Sequence, residues 1–294
     1  MTNCEKEQSL KNYFSQKRRV LIAFSGGVDS SLLTAFAADA SKEMLAVTFK
    51  TELVSKEEIE NAVLTAKEIG INHIIIEKSV LNIPEIRGNR QNRCYVCKKE
   101  MFQTLLKFAE ENGYETVIEG TNYSDIEDQE NQNKLRPGFS ALLELNEIQK
   151  KRGLPKIETP LADLKITKSE IREMARRQNL ISAGKPSMSC LATRFSYDET
   201  LTAEMIQTID SAENKLREIG FSQIRIRCHG DSKQRQIARI EIEKDEICLI
   251  SKDENGEKIN DLISFLKQTG FSYVTIDLEG FRSGSMDEIE RGRQ

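Results

Sequence analysis

The chain has 294 residues, 38% hydrophobic and 31% charged, which is enough for two domains with separate cores. No segment is apolar and long enough to span a bilayer. Its 43 basic and 47 acidic residues leave a net charge of −4, tryptophan is absent and aromatics make up 6%; this argues against a global field for nucleic acid and against extensive base-stacking platforms. Neither a membrane nor a nucleic-acid partner is expected. The N-terminal segment is polar and helix-like, without the apolar stretch of a signal peptide, so a cytoplasmic location is expected and Cys4 is expected to fray.

A strand-like run at 20–24 ends in Ser25-Gly26-Gly27-Val28-Asp29-Ser30, and a helical pattern follows from Ser31 to about Ala40. A strand that feeds a glycine turn and a helix N-terminus is a natural anion site. The glycines allow close backbone approach, and the first helical N–H groups lack partners. Backbone N–H groups of residues 26–30 would cradle phosphate oxygens, with the hydroxyls of Ser25, Ser30 and Ser31 as further donors. Asp29 carries the same charge sign as phosphate, so it suits capping the helix or reaching a phosphate-bound Mg²⁺. The Walker A spacing and its lysine are missing. Ser-Gly-Gly-x-Asp-Ser resembles the PP-loop of ATP pyrophosphatases, which cleave ATP to AMP and pyrophosphate.

Strands at 45–49, 73–77 and 116–119 alternate with helices at 56–69, 98–112 and 168–178. This predicts an α/β architecture with a parallel sheet, which binds ligands beyond its strands' carboxyl ends. The PP-loop, the turn after Phe49, and Gly120-Thr121-Asn122 with Asp125 would meet there. Thr121, Asn122 and Asp125 suit ribose, phosphate or Mg²⁺; alone, an Asx turn explains the same residues. His73, in its apolar strand, reads as structural. The charge-rich stretches 52–60 and 125–134 read as a solvated helix or loop, and 126–135 is expected to be mobile.

Arg93-Cys94-Tyr95-Val96-Cys97-Lys98 opens a helix. Its Cys-x-x-Cys admits three readings. Thioredoxin-like redox chemistry lacks its surrounding strand and proline. Zinc needs four ligands, and the only histidines are His73 and His229. A [4Fe–4S] cluster with Cys190 as third ligand would leave one iron open. Cys190 lies in an irregular, polar linker, and nearby Arg194 would favour its thiolate. Cys228 and Cys248 read as small buried hydrophobes.

The predicted domains are 1–184, a linker at 185–199, and an α+β domain at 200–294. The last has a helix at 203–219, strands at 223–228 and 236–243, helical material to 268, and a strand at 273–278. Alternation puts Arg225 and Arg227 on one strand face. Two arginines together suit a bidentate anion, but the pattern alone favours a solvent face.

Assembled, these motifs resemble the LarE family over nearly the whole length. The resemblance rests on Phe24–Ser31, Glu119–Asn122, Arg136-Pro-Gly138, Thr159–Leu161, Lys185-Pro186 through Arg194, Arg225–Arg227 with His229-Gly230, Ala238–Glu241 and Asp277–Gly284. It implies an adenine nucleotide alpha hydrolase-like domain followed by a smaller α+β domain. The implied activity adenylates the carboxylates of pyridinium-3,5-biscarboxylic acid mononucleotide and converts them to thiocarboxylates. ATP and Mg²⁺ would sit on Ser25, Gly26, Gly27, Asp29, Ser30, Ser31, Phe49, Gly120, Thr121, Asn122 and Asp125. Arg194, Arg225, Arg227, Arg239 and Glu241 would bind substrate. Cys190 would carry the sulfur, and Cys94, Cys97 and Cys190 would hold a [4Fe–4S] cluster recharged by sulfide or another sulfur donor. A homo-oligomer, dimer to hexamer, is also implied. The alternatives are a PP-loop tRNA thiolation enzyme and a zinc-stabilised, non-catalytic nucleotide-binding protein.

Overall fold

The computed structural model describes residues 2–131, 137–185, 188–230, 235–252, 255–282 and 285–287. Two units are distinguished: residues 1–51, 56–78 and 94–188 form the first, and 52–55, 79–93 and 189–294 the second. In chain order the elements are α1 (Asn3–Ser15), β1 (Arg19–Ala23), α2 (Val28–Ala40), β2 (Glu43–Lys50), α3 (Lys56–Ile69), β3 (His73–Glu77), α4 (Pro84–Arg87), α5 (Arg93–Asn112), β4 (Thr116–Ile118) and α6 (Tyr123–Asn131). They continue with α7 (Pro137–Arg152), β5 (Lys156–Glu158), α8 (Pro160–Asp163), α9 (Lys168–Arg177), α10 (Ala203–Ile219), β6 (Ile224–Gly230), β7 (Arg235–Ile242), α11 (Gly256–Gln268) and β8 (Tyr273–Ile276).

The first unit is built on a parallel sheet of order β3-β2-β1-β4-β5. Val20, Leu21 and Ile22 of β1 are wholly buried because helices cover both faces. One face packs Val20 and Ile22 with Leu32, Leu33 and Phe36 of α2 and with Ile171 and Met174 of α9. The other packs Leu21 and Val47 with Phe102 and Leu105 of α5 and Leu142 of α7. The chain runs from β1 outward through β2 to β3 and then crosses to β4 on the other side of β1, so a crevice opens at the carboxyl ends of β1 and β4.

The N-terminal segment does not fray. Thr2 and Glu5 form a reciprocal capping box, Leu10 and Phe14 are buried, and Lys6 pairs with Glu170 at 2.7 Å. The strand β5 and helices α4, α7 and α8 were not foreseen. A three-residue strand is too short to show alternation, and α6 lies in the stretch read as a solvated helix or loop. Residues 132–136 lie outside the described residues.

In the second unit, β6 and β7 are antiparallel and β8 joins β7 in parallel. Thr202 caps α10 by accepting from the Met205 amide at 3.2 Å, and Gly220 ends it in the left-handed region at φ +111°. Residues 52–55 and 79–93, expected in the first domain, join this unit through specific bonds. The Asn89 amide donates to the carbonyls of Ala192, Phe195 and Ser196 at 3.3, 3.2 and 2.8 Å. Leu191 N–H donates to Leu53 at 2.9 Å and Leu201 N–H to Arg87 at 2.7 Å. Cys228 is buried as expected, whereas Cys248 is exposed on a 3₁₀ turn. Among the described residues no helix is long and apolar enough to cross a membrane.

Candidate active site

The loop between β1 and α2 takes its shape from glycine and serine. Gly26 sits at φ +71°, and a Cβ there would fall 2.7 Å from the Ala62 Cα, so this position needs glycine twice over. The Ser30 hydroxyl turns into the loop, bonding the Gly27 carbonyl at 3.1 Å and the Ser25 amide at 3.2 Å. Ser25 Oγ in turn accepts from Gly27 N–H at 3.3 Å. Ser31 is wholly buried, and its hydroxyl has no hydrogen-bond partner among the described residues. Of the three expected hydroxyl donors, Ser25 lines the cleft in front of the α2 N-terminus.

The β4 turn approaches from the neighbouring strand. An ideal Cβ on Gly120 would lie 3.4 Å from Asp29 Cβ, so the two turns are in van der Waals contact. Asn122 Nδ2 donates to Asp29 at 3.3 Å. Asn122 and Asp125 exchange bonds at 3.2 and 3.1 Å, a reciprocal cap on α6 that fulfils the Asx reading. Glu119 accepts from Thr121 N–H at 2.7 Å and pairs with Lys98 of α5 at 2.7 Å. Burial pushes the Glu119 carboxyl up, but the Lys98 charge and the Thr121 bonds outweigh it and hold the group below its usual range.

The cleft at the PP-loop has a volume of about 200 Å³ and is lined by Ser25, Gly26, Gly27, Val28, Asp29, Glu57, Glu58, Asn61, Lys168, Arg172, Lys185 and Met188. Sequence reasoning missed most of this wall, because Lys168 and Arg172 stand one turn apart on an ordinary amphipathic helix. Arg172 donates to the carbonyls of Ala183 and Lys185 at 2.9 and 3.2 Å, and Lys185 donates to Asn61 at 2.7 Å. Burial depresses the Lys185 ammonium against the pull of Glu57 and Glu68. Lys168 forms an ion pair with Asp29. Burial raises the Asp29 carboxyl, with Asp125 adding to the rise and Lys168 opposing it.

Asp29 and Asp125 are close enough to feel each other's charge, and their oxygen donors fit Mg²⁺, which takes one or two carboxylates together with substrate phosphates. Phe49 does not line the cleft. Its ring packs on the opposite sheet face, against the cluster of Leu21, Val47 and Phe102. His73 is structural, edge-on to Phe24 at 5.5 Å and hydrogen-bonded to Thr48 at 2.8 Å.

Cys94 and Cys97 lie in the first two turns of α5, about one turn apart, with Cys94 exposed and Cys97 half-buried. Two soft thiols at this spacing suit one iron–sulfur or zinc centre. Among the described residues no group of three or more His, Cys, Asp or Glu side chains is arranged to hold a metal.

In the second unit, exposed Cys190 immediately precedes the 3₁₀ turn Leu191–Arg194. Arg194 is fully buried rather than open to a substrate. Its guanidinium donates to both Glu213 oxygens at 2.9 Å, to the Ser189 carbonyl at 2.8 Å and to the Cys190 carbonyl at 3.2 Å. Arg225 and Arg227 are also buried, which overturns the solvent-face expectation. Arg227 pairs with Glu241 at 2.9 Å and donates to the Thr193 carbonyl at 2.8 Å. Arg239 pairs with Asp277 at 2.6 Å and Glu241 at 3.2 Å. Arg225 lies over the Phe281 ring at 5.2 Å with no ion-pair partner among the described residues. Burial, with Arg194 next, lowers it to about 10. Arg136, Pro186, Ser187, Ser283 and Gly284 lie outside the described residues.

A family model described as queuosine biosynthesis protein QueC matches residues 19–200. An uncharacterized protein of Synechocystis is 35% identical over 97% of each chain. The pyridinium-3,5-bisthiocarboxylic acid mononucleotide synthase of Lactiplantibacillus plantarum is 32% identical over 98% of this chain and 95% of its own. A tRNA-specific 2-thiouridylase of Syntrophus aciditrophicus is 30% identical over 63% of this chain and 55% of its own. With the PP-loop cleft at the crevice of a five-stranded parallel sheet, these likenesses show that the chain belongs to the LarE family of PP-loop proteins and is an ATP-dependent sulfurtransferase.

Proposed function

We propose that the protein converts the two carboxylates of pyridinium-3,5-biscarboxylic acid mononucleotide to thiocarboxylates. The likeness to the Lactiplantibacillus plantarum synthase over almost the full length of both chains carries this reading. A carboxylate oxygen attacks the α-phosphorus of ATP, and the bond to the β-phosphate oxygen breaks to release pyrophosphate. The acyl adenylate so formed has a good leaving group, which a free carboxylate lacks. A sulfur nucleophile then attacks the acyl carbon and AMP departs.

The chain's own groups divide these tasks. The α2 N-terminus, Ser25 and the cation-lined cleft hold the phosphates. Asp29 and Asp125 would hold Mg²⁺, which neutralises phosphate charge when bound. Thr121 and Asn122 fix the β4 turn beside them. Cys190, exposed and held through its backbone by Arg194, presents the sulfur. Arg225, buried with no ion pair among the described residues, suits the substrate phosphate beside the Arg227–Glu241–Arg239 network.

Cys94, Cys97 and Cys190 together are proposed as ligands of a [4Fe–4S] cluster, which would supply a renewable site for sulfide. The reaction is proposed for the cytoplasm, in a homo-oligomer. Anaerobic protein incubated with ATP, Mg²⁺, sulfide and the biscarboxylate nucleotide should release pyrophosphate and AMP. The substrate should gain about 16 Da per converted carboxylate, the mass of sulfur less that of oxygen. Pyrophosphate release without that gain in mass, or none at all with this nucleotide, would overturn the assignment.

A further inference from the structure

The cations of the PP-loop cleft do not have equivalent partners. Arg172 is tied to the backbone carbonyls of Ala183 and Lys185, and Lys185 is tied to Asn61. Lys168 instead pairs with Asp29, the carboxylate in the first turn of α2. Its own placement is unfavourable. Lys168 is the first residue of α9, following the Thr167 cap, where the helix dipole repels a cation. The start of α9 therefore gives no reason for a lysine there, since Glu170 already completes the cap. Its side chain is 36% exposed and can swing on a flexible stem. The Asp29 carboxylate also accepts from Asn122, so it keeps one partner if Lys168 leaves.

We propose that Lys168 is a charge-exchange residue of the nucleotide site. In the empty site its ammonium occupies the Asp29 carboxylate and suppresses metal binding there. When the polyphosphate of ATP enters the cleft, the ammonium moves to the oxygens of its β- and γ-phosphates and frees Asp29 for the accompanying metal. Binding of metal and binding of nucleotide thereby become coupled. No bond is made or broken; one ion pair is exchanged for two. The proposal rests on ATP use alone and not on the identity of the acceptor, so the two can fail separately.

The test measures two half-ligands on the full-length protein. Inorganic pyrophosphate without metal is titrated by calorimetry, and Mn²⁺ without nucleotide by its electron paramagnetic resonance signal. Lys168→Met keeps the aliphatic stem and should weaken pyrophosphate binding roughly tenfold or more, the scale of one charge-assisted contact, while tightening Mn²⁺ binding by a similar factor. Lys168→Arg should keep pyrophosphate affinity near that of the parent chain. A general structural role would weaken both ligands in Lys168→Met. That result, or an unchanged Mn²⁺ affinity with a folded protein by circular dichroism, would overturn the exchange.

Discussion

Arg194 and Glu213 face each other without solvent: both side chains are 0% exposed, and Nε and Nη2 meet the two carboxylate oxygens at 2.9 Å each. The same carboxylate accepts from the Ile226 amide at 2.9 Å, so the pair joins the Cys190 turn, α10 and β6. Burial pushes the Glu213 carboxyl up, and the Arg194 charge brings it below its usual range.

Removing one partner of such a pair strands a buried charge. Glu213→Gln or Arg194→Met should each cost about 3–5 kcal/mol in urea unfolding. The Arg194→Met, Glu213→Leu double variant should recover part of that loss, because neither member of the buried pair is stranded, although Arg217 and the Ile226 amide lose a partner. It should nevertheless lose sulfur transfer, since the Ser189 and Cys190 carbonyls lose their donor. A double variant with full transfer would show that the guanidinium serves stability alone.

Glycine gives a contrast at the nucleotide site. Gly26→Ala forces a side chain into the left-handed region and against the Ala62 backbone at 2.7 Å. It should unfold the loop or abolish ATP binding, with a stability loss of about 1–3 kcal/mol or more. Gly120→Ala meets its first neighbour at 3.4 Å, an ordinary contact, and should keep ATP affinity within about threefold, well under 1.4 kcal/mol. Nucleotide titration of both variants separates a shape requirement from a general intolerance of the turn.

The PP-loop was legible in the sequence because its function is local: strand end, glycine pair and helix start are contiguous. Helices α3 and α10 matched their expected bounds because each is long and periodic. The cleft wall was not legible. Lys168 reaches Asp29 and Lys185 reaches Asn61 across more than 100 residues of sequence, and only tertiary packing brings them there. The burial of Arg225 and Arg227 was hidden for a related reason. Alternation distinguishes two faces of a strand but not whether both are covered, and β6 is buried on both. Phe49 sits at the expected strand end yet points to the other sheet face, a difference of one residue in parity.

Acid should probe the Lys98–Glu119 pair. Glu119 has its folded pKa held below the unfolded value. Its stabilising contribution is therefore present above the unfolded carboxylate range, near pH 4.3, and is lost as pH falls through the lower folded value. Lys98→Met removes the dominant opposing charge and leaves burial to raise the carboxyl. The sign then reverses: the variant is destabilised at pH 7 and recovers on acidification toward pH 5. Urea unfolding between pH 3 and 7 would show a flat or falling curve on acidification for the parent and a rising one for the variant. Parallel curves would mean that Glu119 is not titrating with Lys98.

The cysteines divide by chemistry, and their variants should divide the reaction. Cys190→Ala should abolish sulfur transfer while leaving pyrophosphate release, because adenylation uses the PP-loop and no thiol. Cys94→Ser and Cys97→Ser should lower bound iron and acid-labile sulfide in anaerobic protein while leaving ATP affinity unchanged. The parent chain should then hold about four irons, the content of one cubane cluster. Each assay is independent of the other, since iron is counted without turnover and pyrophosphate is counted without iron. Loss of pyrophosphate release in Cys190→Ala would place the thiol in the adenylation step. Full iron in both α5 variants would remove Cys94 and Cys97 from the ligand set. Stoichiometric zinc with no iron, even after anaerobic reconstitution, would leave Cys190 as the sulfur source and the α5 thiols as a structural centre.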